Sequence, residues 1–231
     1  MEPKSFLNPY YSDELVSLYL GDARVFLHRI EVDVVITDPP YGMTYRSNSA
    51  TVYRLDGDRL VRTSSPTAAI EGEDTTELRD WLLDAWHGPA LVFGTWRMPR
   101  PPCAQLLVWD KGDSPGMGDL SMPWGPSHEE IYVIGSGFTG KRTGSVLRVN
   151  GYSFMDADRP KHPTPKPVAL MSMLIAKCPP EWVILDPFAG SGSTLVAAKM
   201  LGRKAIGVEI EEKYAAEAAL RCSQGVLFGM E

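Results

Sequence analysis

The chain has 231 residues, 44% of them hydrophobic, and 23 basic against 29 acidic side chains give a net charge of −6. That is enough apolar material for one α/β domain with insertions, and the acidic balance argues weakly against a polyanionic partner unless a local basic patch outweighs it. Cys103, Cys178 and Cys222 are an odd set without paired spacing, so a reducing, cytoplasmic compartment is expected, with no disulfide framework and no zinc site. No run approaches the roughly 18 apolar residues of a membrane span, and the polar start, Met1 to Tyr11, has no secretory h-region.

Residues 17–23 read as a short strand ending in a Gly-Asp turn, and 24–30 as one or two helical turns. Val32 to Thr37 is an apolar, β-branched run of the kind found in buried parallel strands. Pro39 cannot continue a sheet ladder, so the strand stops at Asp38. In open α/β sheets ligands bind beyond the carboxyl ends of the strands. Asp38 and Tyr41, on a turn stiffened by Pro39 and Pro40, therefore stand where a site is expected. The polar stretch 43–75 reads as a long mobile loop or small insertion. A helix is expected from 75 to about 87, with Leu78, Trp81, Leu82, Ala85 and Trp86 on one face. Strands follow at 90–95, 105–109 and 130–134, and 112–127, with four glycines and three prolines, is loop.

Residues 137–161 are irregular and carry a net charge of +3 in a chain of −6. Pro165-Lys166-Pro167 opens a helix to about Lys177, and Val183 to Asp186 is a strand. Asp186-Pro187-Phe188-Ala189-Gly190-Ser191-Gly192 then runs into a helix that Ser193 or Thr194 is expected to cap. A strand at 205–209 and a helix at 211–221 complete the alternation of a doubly wound sheet. A strand, a Gly-rich turn and a helix start let a backbone approach a nucleotide-like ligand closely. The alternative is a turn that only packs a helix on a sheet. Glu209 ends the next strand, where an acid can accept both ribose hydroxyls, and that favours the ligand.

These segments together resemble the S-adenosyl-L-methionine-dependent DNA amino methyltransferases that act on adenine N6 or cytosine N4, in the permuted order of the β group. Asp38-Pro39-Pro40-Tyr41 is similar to the family's catalytic motif, and Asp186 to Thr194 to its cofactor loop. His162-Pro163-Thr164-Pro165-Lys166-Pro167 is similar to the motif preceding that loop, and Trp109-Asp110-Lys111, Gly116-Met117-Gly118 and His128-Glu129-Glu130 to connecting segments. The resemblance covers most of the chain. It implies a Rossmann-like class I fold, circularly permuted, mostly parallel with one antiparallel strand, forming a single methyltransferase domain over 1–231.

The implied chemistry concerns a poor nucleophile, an exocyclic amine whose lone pair is delocalised into the base. Asp38 and the carbonyl of Pro39 would accept its two N–H groups, and Tyr41 would stack on a base extruded from double-stranded DNA. The gain would come from orientation and charge placement, without a covalent enzyme intermediate. The resemblance also implies Glu209 on the ribose and Asp22 with Ala23 at the adenine edge. Asp186, Phe188, Ala189, Gly190, Ser191, Gly192, Thr164 and Lys166 would surround the methionine part, with Lys166 on its carboxylate. Otherwise Asp22 is a turn residue and Lys166 a solvated side chain, although a lysine beside a helix N-terminus is unfavourable without a functional reason.

The interval 137–161, where the family carries its target-recognition segment, is short and basic. Lys141, Arg142 and Arg148 are the expected phosphate contacts, against an ordinary solvated loop. A short segment points to a short target or to a homodimer that shares the work, and the resemblance leaves room for a cognate restriction enzyme as partner. Asp rather than Ser at position 38 leans toward adenine N6, with cytosine N4 the alternative. A DNA-binding homologue without catalysis is disfavoured by the intact motifs. Cys103, Trp81, Trp86 and His128 read as packing or surface residues, and Arg97 and Arg100 equally as phosphate contacts or as solvated loop.

Overall fold

The structure, a computed structural model, describes residues 8–40, 51–56, 59–64, 75–113, 121, 123–152, 160, 162 and 164–224, with 51–56 and 59–64 described as backbone. The strands are β1 (Tyr11–Ser12), β2 (Val16–Leu20), β3 (Val34–Thr37), β4 (Thr51–Asp56), β5 (Arg59–Ser64), β6 (Ala90–Gly94), β7 (Gln105–Asp110), β8 (His128–Ile134), β9 (Val146–Arg148), β10 (Ile184–Asp186) and β11 (Ala205–Glu209). The helices are α1 (Ala23–Phe26), α2 (Glu77–Ala85), α3 (Val168–Ile175), α4 (Ser193–Met200) and α5 (Glu212–Ser223).

Nine strands form one sheet in the order β1-β2-β11-β10-β3-β6-β8-β7-β9. From β2 to β6 every neighbour is parallel. β8 runs against both β6 and β7. This is the Rossmann-like class I methyltransferase architecture, with the antiparallel strand in place. A second reversed strand, the two-residue β1, adds to the edge of β2.

All four residues of β3 are buried, because both faces of the sheet are covered. Val34 and Ile36 pack with Leu170, Leu174, Leu195, Ala197 and Ala218 from α3, α4 and α5. Val35, on the other face, packs with Phe26, Leu27 and Leu82 of the α1–α2 side. Side chains alternate across a strand, so a centre covered on both sides must be apolar throughout.

The stretch 43–75, expected as a loop or a small insertion, contains an antiparallel hairpin, β4 with β5, in a separate two-stranded sheet. Its sequence signal is two β-prone runs separated by Gly57-Asp58. The rest of that stretch lies outside the described residues. The segment 137–161 is not wholly irregular either, because β9 adds to β7 in parallel and Asp110 pairs with Arg148 in register. The part at 153–159 lies outside the described residues.

Ile36 is fully buried in the central strand. Ile36→Ala is expected to lower the unfolding free energy by about 2–5 kcal/mol. The effect should be read as a lower urea midpoint at unchanged slope.

Candidate active site

The carboxyl ends of β2, β11, β10, β3 and β6 share one rim, and the amino end of β8 joins them. The connection leaving β10 runs through α4 to β11, and that leaving β3 runs through α2 to β6, on opposite sides. The gap between β10 and β3 is therefore a topological switch point, the usual ligand crevice of such sheets. Two acids meet there. Thr37 Oγ1 donates to Asp186 Oδ1 at 2.6 Å across the two strand ends, and Asp38 is the next residue.

Asp186 also accepts from Thr194 Oγ1 and from the Phe188 amide at 3.2 Å. Burial raises its carboxyl from the usual 3.8 to about 6, against those three donors, and the Asp38 charge adds to the rise. Glu209 is buried too. Its two oxygens accept from the Gly190 and Glu211 amides, each at 2.8 Å. Burial lifts it to about 7. Both acids thus stand in a dry crevice held by neutral donors.

The turn between them is built on glycine. Gly190 and Gly192 have φ of 52° and 78°, the left-handed region that glycine adopts freely. A Cβ on Gly192 would lie 2.8 Å from that of Ala218 in α5. Gly192 itself is the N-cap of α4, with no side-chain cap. Ser193 and Thr194 do not cap as expected; Thr194 turns inward to Asp186 instead. Arg221 Nη1 donates to the Ser191 carbonyl at 2.6 Å and ties α5 to the turn. The His162 ring meets Tyr214 edge-on with centroids 4.5 Å apart, and its Nε2 lies 3.1 Å from where a Gly190 Cβ would be.

Gly21 N donates to the Glu209 carbonyl at 2.9 Å, which brings Asp22 and Ala23 beside Glu209. Asp22 caps α1 through the Arg24 amide and pairs with the Arg24 guanidinium. Thr164 is exposed, and its amide donates to His162 Nδ1 at 3.4 Å. Phe188, Ala189 and Ser191 lie in the turn itself.

Lys166 stands on the Asp38 side of the β3–β10 crevice. It is 7% exposed, and its ammonium pairs with Asp38 Oδ2 and with Glu129 Oε2, the latter at 3.2 Å. It also sits 5.1 Å over the Phe93 ring. Glu129 pairs in turn with Lys111 at 2.8 Å. Burial alone would lower the Lys166 ammonium, but the charges of Asp38 and Glu129 outweigh it and hold it above its ordinary value. Burial likewise works to raise Glu129, and Lys166 with Lys111 outweighs it and lowers it. Glu129, Lys111 and Thr37 were not anticipated as site residues. The one sequence signal was Lys166 itself, placed against the dipole of α3.

Asp38 is half-buried, Pro39 buried and Pro40 exposed. Tyr41 lies outside the described residues. The basic set divides. Arg148 ends β9 at the active rim, where it pairs with Asp110 at 2.8 Å. Lys141 and Arg142 are exposed at the other end, because β8 delivers the chain there. Lys177, which follows α3, donates to the Lys141 carbonyl, and Thr139 N donates to the Lys177 carbonyl at 2.7 Å. The rim instead presents two tryptophans that sequence reading passed over, Trp96 and Trp124, 60% and 77% exposed. Arg97 stacks beside Trp96, its guanidinium 5.4 Å from the ring centre. Arg100 is held by Glu130 in a two-pronged pair at 2.9 and 2.5 Å. Trp81 and Trp86 pack against the α1–α2 core, as expected. Among the described residues no cluster of His, Cys, Asp or Glu is arranged for a metal, and no helix is long and apolar enough to cross a membrane.

A family model described as DNA methylase, covering the N6 and N4 enzymes, matches residues 67–220. The chain belongs to this family. The methylase is 30% identical to the YubD protein of Escherichia coli (strain K12) over 187 residues, 79% of this chain and 78% of that one. Its fold is similar to that of the M1.HpyAVI–SAM complex, with a TM-score of 0.61 and 23% identity over 90% of this chain and 98% of the other. It is also similar to that of the PvuII DNA methyltransferase, named as cytosine-N4-specific, with a TM-score of 0.65 and 16% identity over 92% and 88%.

Asp186 has a folded value above its unfolded one, so the acid lowers stability as pH rises from about 4 through about 6. Thr194→Val removes one of its donors and deepens that loss. The variant should be about 1–3 kcal/mol less stable than wild type at pH 8, with a smaller difference at pH 5, measured by urea unfolding at both values.

Proposed function

We propose that the methylase moves a methyl group from S-adenosyl-L-methionine to the N6 amine of an adenine extruded from double-stranded DNA. The observation that carries this reading is the adjacency of Asp38 and Asp186 across the β3–β10 switch point, with Glu209 one strand further along. An amine acceptor and a nucleoside cradle then share one crevice. The left-handed Gly190 and Gly192 let the turn fold between the two acids, against His162 and Ala218, and the buried carboxylates suit ligand hydroxyl and ammonium groups. The fold likeness to M1.HpyAVI, named as a SAM complex, supports the same cofactor.

In this reading Glu209 accepts the ribose hydroxyls through the lone pairs that its amide donors leave free. Asp22 and Ala23 border the adenine. The Phe188–Gly192 turn, with Asp186 and Thr164, faces the methionine part. The bound cofactor supplies a sulfonium methyl as the electrophile. Asp38 and the Pro39 carbonyl accept the two amine N–H groups, so that the nitrogen pyramidalises and its lone pair turns toward that methyl. Tyr41, the fourth residue of the motif, stacks on the base. The N–C bond would form as the C–S bond breaks, the pair staying on sulfur as a neutral thioether, and the nitrogen would then pass one proton to water.

DNA is proposed to lie on the rim that carries Trp96, Arg97, Trp124 and Arg148, above Asp38. Arg79, itself buried, donates to the Pro99 carbonyl at 2.7 Å and fixes the loop that presents Trp96. Cytosine N4 is the second reading, favoured by the likeness to the PvuII enzyme; the amine chemistry would be the same.

Digesting labelled DNA to nucleosides separates methyladenine from methylcytosine. Asp38→Ala should lower the single-turnover rate at least about 100-fold, and equal transfer by variant and wild type would refute the role. Arg97→Ala should weaken DNA binding and reduce the salt slope by about 1. Lys141→Ala with Arg142→Ala, at the far end, should leave both unchanged. Because the ribose hydroxyls favour the charged form of Glu209, cofactor binding should release protons and tighten as pH rises through about 7. Calorimetry in buffers of different ionisation enthalpy would detect this.

A further inference from the structure

We propose that Lys166 is a positioning residue for methyl transfer, clamped by Glu129 so that it holds Asp38 as a carboxylate in line with the target amine. This rests on the reading of Asp38 as the amine acceptor. It differs from the contact with the methionine carboxylate that the sequence resemblance implies for Lys166.

Four charges alternate in a chain of contacts at the rim: Lys111, Glu129, Lys166 and Asp38. They come from four places in the chain. Lys111 follows β7, Glu129 is in β8, Lys166 precedes α3, and Asp38 follows β3. The ammonium of Lys166 lies over Phe93 of β6, where water does not reach it. A flexible lysine stem in water would hold nothing in place, whereas a buried one fixed at two carboxylates has a single position. Lys111 is fixed in the same manner, between Glu129 and the face of Trp109, 5.1 Å from the ring centre.

Among the described residues, the charged groups facing Asp38 include Lys166 from the α3 lead-in, Glu129 from β8 with Lys111 behind it, and Asp186 from β10. Without Lys166, Asp38 would face two like charges and take up a proton more readily. A protonated Asp38 donates where it must accept. Lys166 thus keeps both the charge and the direction of the acceptor, and Glu129 keeps Lys166 from following the carboxylate outward. An opposite charge at this range favours a carboxylate by about 1–3 pH units.

The test uses the full chain with duplex DNA under single-turnover conditions at saturating cofactor, from about pH 4.5 to about pH 9, which spans the range an aspartate shifted by about 1–3 units would cover. Variants are Lys166→Met, Glu129→Gln and the two combined. Dissociation constants for S-adenosyl-L-methionine alone are measured by calorimetry, and folding is followed by thermal melting. Lys166→Met should move the acidic limb up by about one pH unit or more, so that the rate falls most on the acidic side and returns toward the wild-type value at the alkaline end, with the cofactor constant changed less than about threefold. If the single variant does not fold, the double variant removes Lys166 together with the carboxylate behind it, which leaves no unpaired charge between them, and a smaller shift in the same direction is expected. A rate lowered evenly at all pH values, or an unshifted limb with cofactor binding lost, would overturn the proposal. Asp38→Ala at the wild-type rate would remove the underlying reading instead. Asp38→Ala inactive beside an unshifted Lys166→Met profile would remove only this one.

Discussion

The pairing of β3 with β10 is the constraint on which the site depends. It joins a strand from the start of the chain to one near its end, with Thr37 and Asp186 149 residues apart. Each strand contributes an acid where it stops, and the Thr37 hydroxyl fixes one acid relative to the other strand. Had the two strands been separated by a third, Asp38 and Asp186 would be about 10 Å apart rather than neighbours, given a strand spacing of roughly 4.8 Å. The crevice exists because the connections leave these strands in opposite directions.

The acids of the rim are handled in two ways. Asp38 and Glu129 are matched by lysines, in a chain of pairs around the buried Lys166 that fixes their charge. Asp186 and Glu209 have only hydroxyl and amide donors, and burial leaves their carboxyls near 6 and 7. Matched charges hold a geometry; unmatched ones respond to what enters. The division follows the two halves of the proposed chemistry, a fixed acceptor for the amine and an adaptable cradle for a nucleoside. It also explains why a lysine tolerates a place against the dipole of α3: two carboxylates offset the cost.

Much of this was legible in the sequence. An apolar β-branched run ending at Asp-Pro-Pro can only be a buried strand with a stiff exit, and Val34 to Thr37 is one. The Asp186–Gly192 turn and Glu209 showed their register through spacing alone. The illegible parts depend on long-range geometry. Nothing local links Lys111, Glu129 and Lys166, which meet only because β8 lies antiparallel beside β7 and β6. Lys141 and Arg142 read as one basic set with Arg148, yet the chain travels the length of the sheet between them. The hairpin at 51–64 carried a local signal, the Gly57-Asp58 turn between two β-prone runs, which the surrounding polar composition masked. Thr194 had the residue type of a helix cap, but a buried carboxylate competed for its hydroxyl and won.

The order of motifs has a consequence for how the molecule comes into being. A ribosome adding about 5–20 residues per second releases β3 long before its partner β10. For roughly seven to thirty seconds this fully buried strand has one edge without its native neighbour, while β6 on its other side arrives early. Closing so distant a ladder is a slow, late event. The centre of this sheet is thus completed last, and the nascent chain during that interval is the species most exposed to wrong pairing.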